Sequence, residues 1–418
     1  TSPEDIFDQK YIQIIRDYLG LSQPKDLIIP ITLAFIAAAI IAALMRVLLL
    51  WFSAKLSFSA GADLSIESYK RTLYQPYSVH VLRNSSEVVS SIMTKINSAT
   101  AALNLSLSLA GAVIISLSII SVLISIDFKI ALFSGFFFSF IYFLISRTSQ
   151  NRITSNSKKI NLGTSSSQKI LQEGLGGIRD ILLDGTQSLS IDSFSEQQKK
   201  LRGSQGDNYF ISGSPKFIME AFGIVLISIL ALFLVSTSDG AKSFIPVLGA
   251  MASGAQRLIP ALQQIYVGWS GTLGHMESLK AVLELLDQHS NENSYPKDLN
   301  PLDFDQKFEM KSVYFKYSQQ DQWLLENFNL SIQKGTTLGI VGETGSGKST
   351  LIDIIMGLLE PQEGFLYSDS HRIDHKEILS WQKIIAHVPQ NIFLADISIQ
   401  ENIAFGIQKE LIDLDKVK

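Results

Sequence analysis

Residues 338–349 read L-G-I-V-G-E-T-G-S-G-K-S, an apolar segment followed by a glycine-rich loop that ends in Lys and Ser. The apolar segment predicts a short strand, and residues 350–359 continue as an apolar helical pattern. A glycine-rich loop between a strand and a helix is typical of a phosphate-binding P-loop, because its backbone N–H groups point at phosphate oxygens. The partial positive charge at the start of the helix adds to that attraction. The segment therefore predicts a nucleotide-binding domain.

The loop supplies most of the candidate contacts to the nucleotide. Its glycines let the backbone curl around the phosphates. Lys348 can reach the β- and γ-phosphates, and the Ser349 hydroxyl can bind Mg²⁺. We therefore expect ATP or GTP, with Mg²⁺, as the ligand. The predicted contacts in the loop are Gly342, Glu343, Thr344, Gly345, Ser346, Gly347, Lys348, Ser349 and Thr350.

Five apolar stretches precede the P-loop, each long enough to cross a bilayer as a helix, which takes about 20 residues. A buried helix of a soluble domain keeps a polar face, whereas the second stretch has no charged residue at all. The sequence therefore predicts an integral membrane protein. The expected spans are residues 27–52, 103–126, 130–146, 217–235 and 244–269.

Basic residues predict how these spans are oriented. The connections 53–102 and 147–216 carry five and ten Lys or Arg, whereas residues 127–129 and 236–242 carry one Lys each. Basic loops stay in the cytoplasm, so the two long connections and the P-loop region that follows the last span are expected there. The N-terminal residues 1–26 are then expected outside.

Three further segments have predicted shapes. Residues 2–20 carry apolar residues at helical spacing on one face, which indicates an amphipathic helix lying on the membrane or on the protein. The two long cytoplasmic connections are expected to continue the spans as helices and to turn back at elbows. These elbows are residues 75–86 and 174–185.

Composition excludes several kinds of chemistry. The chain has no cysteine, which excludes disulfides, thiol catalysis and cysteine-ligated metal, and its six histidines show no metal-binding spacing. The net charge of -4 argues neither for nor against a nucleic-acid partner, and because no basic and aromatic patch appears we expect none. The first residue is Thr and no cleavable signal peptide is visible, so we expect the chain to begin inside a longer protein.

Long helices, two elbows and a P-loop domain after them resemble a half-size ABC exporter. Residues 315–317, F-K-Y, are similar to the aromatic A-loop of that family, which implies that Tyr317 stacks on adenine. Residues 387–390, H-V-P-Q, are similar to its Q-loop, which implies that Gln390 approaches Mg²⁺ and the attacking water. Residues 398–406 resemble the segment that follows the Q-loop. The resemblance thus implies catalytic roles for Lys348 and Gln390.

The resemblance also implies the fold class and the domains. The expected fold is a multidomain membrane protein, an all-α transmembrane domain of the ABC exporter type followed by an α/β P-loop nucleotide-binding domain. We assign residues 1–26 to the external helix and its linker, 27–286 to the transmembrane domain, 287–301 to a second linker and 302–418 to the nucleotide-binding domain. The family also has a sixth span, a signature motif, a Walker B motif and a switch histidine. We expect the span before this chain and the three motifs after it.

In that family two half-transporters clamp each ATP between one Walker A loop and the partner's signature motif. The resemblance therefore implies a second half-transporter subunit, most simply a homodimer, in a bacterial inner membrane. The full-length dimer would hydrolyse ATP, whereas this stretch lacks the groups that activate water. The external helix and residues 74–87 are most similar to bacterial lipid-linked oligosaccharide flippases. Two alternatives stay open: an exporter of drugs, lipids or peptides, and a membrane-anchored P-loop kinase or sensor that transports nothing.

Two arginines within the predicted spans are candidate substrate contacts. Arg257 lies in the middle of the fifth span, where an arginine costs about 2.5–3.5 kcal/mol on insertion scales and should face a wet cavity or a partner. Arginine binds phosphate through two parallel hydrogen bonds, which suits a pyrophosphate head group. An ion pair with Glu220 is the alternative. Arg46 lies near the cytoplasmic end of the first span, where its side chain can also extend to the interface.

Overall fold

The structure is a computed structural model that describes residues 23–126, 128–237, 241–288, 299–318, 322–390 and 392–418. The chain divides into two compact units. A helical unit comprises Thr1–Gln75 and Val79–Ser290, and an α/β unit comprises Pro76–Ser78 and Asn291–Lys418. The amphipathic helix predicted at residues 2–20 lies outside the described residues.

The described residues between 23 and 288 contain five long α-helices, three short ones, a 3₁₀ turn at Pro24–Leu27 and one turn of π-helix, Ser91–Lys95. Each predicted span lies within one of the long helices, except that the first span begins one residue before the first long helix, at Leu27. The α-helices are α1 (Ile28–Leu73), α2 (Tyr77–Leu82), α3 (Ser85–Ser90), α4 (Ile96–Ile126), α5 (Phe128–Gly176), α6 (Ile178–Asp184), α7 (Gln187–Thr237) and α8 (Ala241–Leu286).

Among the described residues, three helical segments are long and apolar enough to cross a membrane: Ile28–Leu73, Glu87–Ser125 and Gln187–Ile229. They overlap the first, second and fourth predicted spans. The third and fifth predicted spans lie in α5 and α8, where several side chains lie outside the description. The short helices α2 and α6 fall within the two predicted elbows.

Small residues set the distance between packed helices in this unit. A Cβ atom added to Gly268 of α8 would lie 2.7 Å from the Leu109 Cβ of α4 and 2.9 Å from the Leu105 carbonyl oxygen. Nearby, the hydroxyls of Ser106 and Thr272 are hydrogen-bonded at 3.1 Å. Close approach through glycine and hydroxyl contacts is how helices associate where lipid surrounds them. Ser106 thus takes part in the packing of α4 against α8.

The α/β unit is built on a four-stranded antiparallel sheet of order β2-β1-β3-β4. Its strands are β1 (Lys307–Phe315), β2 (Leu325–Gln333), β3 (Glu363–Ser368) and β4 (His371–Ile373). Its helices in the described residues are α9 (Lys348–Ile355), α10 (Ile378–Gln382), α11 (Ile399–Ile403), α12 (Leu414–Val417) and a 3₁₀ turn at Lys409–Leu411.

A bulge in β1 keeps its apolar residues on the core side of the sheet. Phe308 and Met310 are two residues apart, as strand alternation requires, but the next buried residue, Val313, follows after three. Ser312 takes up the extra residue with a φ of 51°, and its N–H donates to Asn329 Oδ1 at 2.9 Å. Because side chains alternate across a strand, one inserted residue restores the buried face.

The strand predicted immediately before the P-loop is absent, and that prediction is wrong. Residues 338–341 form no ladder with any described segment, and Val341 is 93% exposed. A strand exists only where a neighbour accepts and donates its backbone hydrogen bonds. The described antiparallel sheet does not extend to these residues, so their apolar pattern alone does not make a strand.

Candidate functional site

Helix α9 holds the C-terminal end of the P-loop against the sheet. It begins at Lys348, two residues before the predicted helix, and ends at Ile355. Ile354 is fully buried and Leu351 nearly so, in the same apolar cluster as the β1 residues. The Trp381 indole N–H donates to the Ile355 carbonyl at 2.7 Å and satisfies an acceptor at the end of the helix. The start of α9 is therefore fixed by the core of the unit.

Two glycines turn the loop into that helix. Gly345 and Gly347 both have a φ of +86°, in the left-handed region that side chains with a Cβ rarely adopt. At Gly347 there is also no space, because a Cβ would lie 3.0 Å from Leu324 Cγ. Substitution at Gly347 would thus cost both backbone strain and a displaced side chain. These constraints account for the glycine spacing of the motif.

The Lys348 ammonium group lies across the loop. Its Nζ donates to the carbonyl oxygens of Gly342 at 2.8 Å and Glu343 at 2.6 Å. Both acceptors are neutral, so these bonds hold the side chain over the loop without neutralising its charge. A lysine placed in this way offers positive charge to an anion in the loop.

A cleft of about 620 Å³ opens beside the loop and brings three separate motifs together. Tyr317 of the F-K-Y segment, the P-loop and Gln390 of the H-V-P-Q segment all line it. Gly342, Glu343 and Ser346, the other predicted contacts, belong to the loop but not to the lining. The lining residues are Tyr317, Gln322, Leu324, Thr344, Gly345, Gly347, Lys348, Ser349, Thr350 and Gln390.

Two lining residues, Gln322 and Leu324, were not anticipated from the sequence. They precede β2, and the Leu324 N–H donates to the Phe315 carbonyl at 2.8 Å, which closes the connection from β1. That hydrogen bond places them beside the loop although no local motif marks them. The hairpin register is the signal that identifies them, and it is visible only in the structure.

Tyr317 is held by contacts on two sides. Its hydroxyl is hydrogen-bonded to Thr350 Oγ1 at 2.9 Å, in the first turn of α9. Its ring meets that of Phe315 edge to face, with centroids 5.2 Å apart. The ring is half-buried and lines the cleft, so it offers an apolar face beside the phosphate-binding loop. This arrangement suits stacking with a flat base.

The H-V-P-Q segment is linked electrostatically to α9. Burial raises the pKa of Asp353, a residue of α9, and the nearby His387 opposes that effect. Gln390 itself is exposed and has its side chain at the cleft. The segment therefore lies alongside the P-loop helix, although residues 386–389 are not assigned to a strand.

The two candidate substrate residues lie in the helical unit. Arg46 of α1 and Arg257 of α8 are both exposed. The ion pair considered for Arg257 is not present among the described residues, because Glu220 instead lies 4.0 Å from Lys216, one turn earlier on α7. Residues four apart on one helix, such as Lys216 and Glu220, are neighbours on its surface, whereas Arg257 belongs to another helix.

Comparison with known families identifies both units. The ABC transporter transmembrane region matches residues 7–247, more than half of the chain, and the ABC transporter ATP-binding family matches residues 325–417. The two matches together contradict the alternative of a membrane-anchored P-loop kinase or sensor.

Individual relatives agree. A putative ABC transporter ATP-binding protein, MG015, of Mycoplasma genitalium is 29% identical over 303 residues, covering 71% of this chain and 48% of that protein. An ATP-dependent lipid A-core flippase of Pseudomonas syringae is 24% identical over 364 residues, with coverages of 85% and 59%. The glutathione/L-cysteine transport protein CydC of Bacillus subtilis is 28% identical over 233 residues, with coverages of 56% and 39%.

A solved structure has the same fold. The ATP-bound structure of a bacterial Atm1-family ABC exporter superposes with a TM-score of 0.73 at 19% identity, over 95% of this chain and 70% of that one. The chain spans about half the length of the curated relatives it matches, with 48%, 39% and 59% of their lengths covered. The all-α membrane unit and the α/β unit after it are those of an ABC exporter half-transporter, and the chain belongs to the ABC transporter family.

Proposed function

We propose that the α/β unit binds Mg²⁺–ATP in the cleft beside the P-loop, and that the full-length protein uses ATP hydrolysis to move a substrate across the membrane. The observation that carries this proposal is the single cleft formed by Tyr317, the P-loop and Gln390. An aromatic ring, a phosphate-binding loop and a polar side chain for metal and water are the three contacts that a nucleoside triphosphate needs. These three groups are distant from one another in the sequence, and the fold brings them to one cleft.

Each residue has a proposed role. Tyr317 stacks on the adenine, and residues 342–350 bind the phosphates through their backbone. Lys348 contacts the β- and γ-phosphates. The Ser349 hydroxyl and the Gln390 side-chain oxygen are the metal ligands, and Gln390 also orients the attacking water. Bound Mg²⁺ would neutralise charge on the phosphate oxygens while these residues position them.

The residues present fit this ligand. Mg²⁺ prefers oxygen ligands and keeps several of its waters, so two protein ligands, Ser349 and Gln390, are sufficient beside phosphate oxygens. The left-handed backbone at Gly345 and Gly347 precedes the first turn of α9, whose unpaired N–H groups favour an anion. Catalysis then consists of positioning and charge stabilisation, with little covalent chemistry from the chain.

The proposed transporter also contains a second half-transporter subunit. In this family the P-loop of one subunit and the signature motif of its partner enclose each ATP, and we propose a homodimer. Closure around two ATP would turn the helical units outward, and hydrolysis would reset them. The relatives reported above are bacterial proteins, which supports placement in a bacterial inner membrane with the α/β unit in the cytoplasm.

For the substrate, we propose a lipid-linked oligosaccharide or a related anionic lipid. Three relatives are named ATP-dependent lipid A-core flippases, and two of them align over 85% of this chain. Arg257, exposed within the fifth predicted span, would contact the phosphate of such a head group. Arg46 is the second candidate contact.

A small-molecule exporter is the second candidate. The relative named as a glutathione/L-cysteine transport protein and another named multidrug resistance-like protein MdlA support it, the latter at 41% identity over 98 residues. Those 98 residues are 23% of this chain, so that likeness says less about the membrane unit.

The test is transport by the full-length protein in vesicles. We would follow ATP-dependent flipping of a pyrophosphate-linked oligosaccharide lipid by the parent, by Lys348→Ala and by a control, Lys376→Ala, whose lysine is exposed outside the cleft. We expect flipping by the parent and the control but not by Lys348→Ala. Arg257→Gln should slow flipping while ATP hydrolysis continues. If the parent hydrolyses ATP but flips no lipid, and Lys348→Ala stops the hydrolysis, the transporter assignment is kept and this substrate is rejected.

A further inference from the structure

A polar cavity of about 310 Å³ lies inside the helical unit and shares no lining residue with the P-loop cleft. It lies between the π-helix, α4, α5, α7 and α8. A water molecule occupies roughly 30 Å³ in the liquid, so the cavity has room for a small molecular group. Its polar lining residues are Thr94, Lys95, Ser98, Asn161, Thr164, Gln205, Asn208, Tyr209, Ser212, Ser270, His275 and Ser278.

Lys95 is the unusual member of this lining. It is 6% exposed, and in the described residues it has no hydrogen bond or ion pair within 4.0 Å. Glu87 and Glu284 attract its charge from farther away, and Arg83 repels it. Removing an ammonium group from bulk water without a direct protein partner is costly. A lysine kept in such a place calls for a ligand.

Lys95 lies at an irregular turn of the backbone beside the cavity. Lys95 is the last residue of the π-helix Ser91–Lys95, which joins α3 to α4. A π-turn inserts one extra residue into a helix, shifts the faces on either side of it, and occurs frequently at functional sites. Ser91 and Lys95 at its two ends are both buried. The irregular turn and the unpaired charge are independent observations that mark the same position.

The remaining lining offers donors from several directions and no competing acid. The lining residues include no Asp or Glu, whereas hydroxyl and amide groups come from all the surrounding long helices. Asn208 accepts from Asn156 through its Oδ1 at 3.0 Å, which leaves its amide N–H groups for the cavity side. The Asn161 side-chain oxygen is buried and has no hydrogen-bond partner in the described structure. An occupant with negative charge would pair with the Lys95 ammonium group, and a hydroxyl group on the same occupant would donate to the Asn161 side-chain oxygen.

We propose that this cavity binds a phosphoryl group attached to a hydroxyl-bearing moiety, as in a glycerol phosphate, with Lys95 as its counter-ion. A phosphoryl group presents three acceptor oxygens that point in different directions, which matches donors on several helices. A carboxylate presents two oxygens in one plane and would leave part of the lining unpaired. The site is separate from the ATP cleft, and the proposal requires neither ATP hydrolysis nor any particular cargo.

The test is direct binding to the full-length protein in nanodiscs, with Lys348→Ala throughout so that the P-loop cannot bind the probe. One arm measures the binding of sn-glycerol 3-phosphate to the protein in phosphatidylcholine nanodiscs. The other arm measures the binding of phosphatidic acid, by comparing nanodiscs with and without that lipid. Lys95→Met removes the charge at similar length. Lys200→Met is the matched control, since that lysine is exposed and pairs with Glu196 on the same helix at 2.6 Å.

We expect saturable binding that weakens by more than about tenfold in Lys95→Met and by less than about twofold in Lys200→Met. Binding of the soluble ester identifies a free phosphate ester as the source, and binding only to phosphatidic acid identifies a lipid head group. Equal affinity of parent and Lys95→Met, or no saturable binding in either arm, would overturn the proposal.

A second variant keeps the test decisive if Lys95→Met fails to fold. Gly274→Val fills the space beside Asn208, because a Cβ at Gly274 would lie 3.4 Å from Asn208 Nδ2, and it leaves Lys95 in place. It should weaken binding by more than about tenfold as well. Unchanged affinity in Gly274→Val would show that the ligand binds elsewhere.

Discussion

The second predicted span and the α/β unit bury opposite kinds of residue. In this span, which lies in α4, the buried positions include Gly111, Ala112 and Ser116, whereas Ile114 and Leu117 are 66% and 59% exposed. In the α/β unit the arrangement is reversed: apolar side chains of β1 and α9 are almost fully buried, and polar ones face outward. One chain thus follows two different rules for what goes inside.

The difference reflects two solvents. In water, burying apolar surface is the main favourable term, so the α/β unit collects its large apolar residues in one core. In a bilayer the surroundings are as apolar as a leucine side chain, so exposure of leucine costs nothing and helices associate through small residues and hydrogen bonds. Stability should therefore depend on large buried residues in the α/β unit and on small residues where α4 meets α8.

The largest expected effect is in the α/β core. Ile354→Ala should lower the free energy of unfolding by about 2–5 kcal/mol, because it opens a cavity at a fully buried position of α9. Ile352→Ala is the control on the same helix, where the side chain is 39% exposed, and it should cost much less. Denaturant unfolding of the full-length protein in detergent, followed by tryptophan fluorescence, measures both. Equal losses would contradict a core on the Ile354 side of α9.

A smaller effect is expected from added volume in the helical unit. Gly268→Ala should destabilise it by about 1–3 kcal/mol, because the new methyl group would overlap Leu109 and the Leu105 carbonyl. Gly135→Ala is the matched control, since a Cβ there meets nothing within 4 Å. Thermal unfolding in nanodiscs compares the two variants with the parent. If Gly268→Ala unfolds at the parent temperature, the close approach of α4 and α8 is wrong.

The smallest expected effect is a pH-dependent one at the edge of the sheet. The N–H groups of Asp305, Lys307 and Gln306 donate to the Asp369 carboxylate at 2.8, 2.8 and 2.7 Å, and they lower the pKa of Asp369. A lowered pKa means that the carboxylate stabilises the fold above its unfolded pKa, and that this contribution is lost as the pH falls through the folded value.

Asp369→Asn should therefore be less stable than the parent near about pH 7, and the two should converge as the pH falls below the lowered folded pKa of Asp369, which lies under the usual value of about 3.9. The control is Asp396→Asn, at an exposed position, with the unfolding midpoint measured across this range. A stability difference between Asp369→Asn and the parent that grows toward acid pH would contradict this account, because it would require a raised pKa for Asp369.

Much of the nucleotide site was predictable from the sequence, because a P-loop is a local motif. Glycine, lysine and serine at fixed spacing encode a backbone shape, and α9 begins at Lys348 within two residues of the prediction. The positions of Tyr317 and Gln390 came from resemblance, and the structure places both at the cleft. Their chemical roles remain proposals.

Other features could not be predicted, because they depend on partners distant in the chain. Residues 338–341 have the composition of a strand, but a strand needs a neighbour, and no described segment supplies one. Gln322 and Leu324 reach the cleft through the hairpin register. Lys95 is one of several basic residues in a long connection, and only the packing of four other helices reveals that it is buried without a partner.

The most direct test of the central claim is the ATP hydrolysis rate of the reconstituted full-length protein. Four proteins would be compared: the parent, Lys348→Ala, Gln390→Ala and the control Lys376→Ala. We expect Lys348→Ala and Gln390→Ala each to lose more than about a hundredfold in rate, since each removes a positioned group at the phosphates, and Lys376→Ala to match the parent. Hydrolysis at the parent rate by Lys348→Ala would contradict the assignment of this cleft as the ATP site.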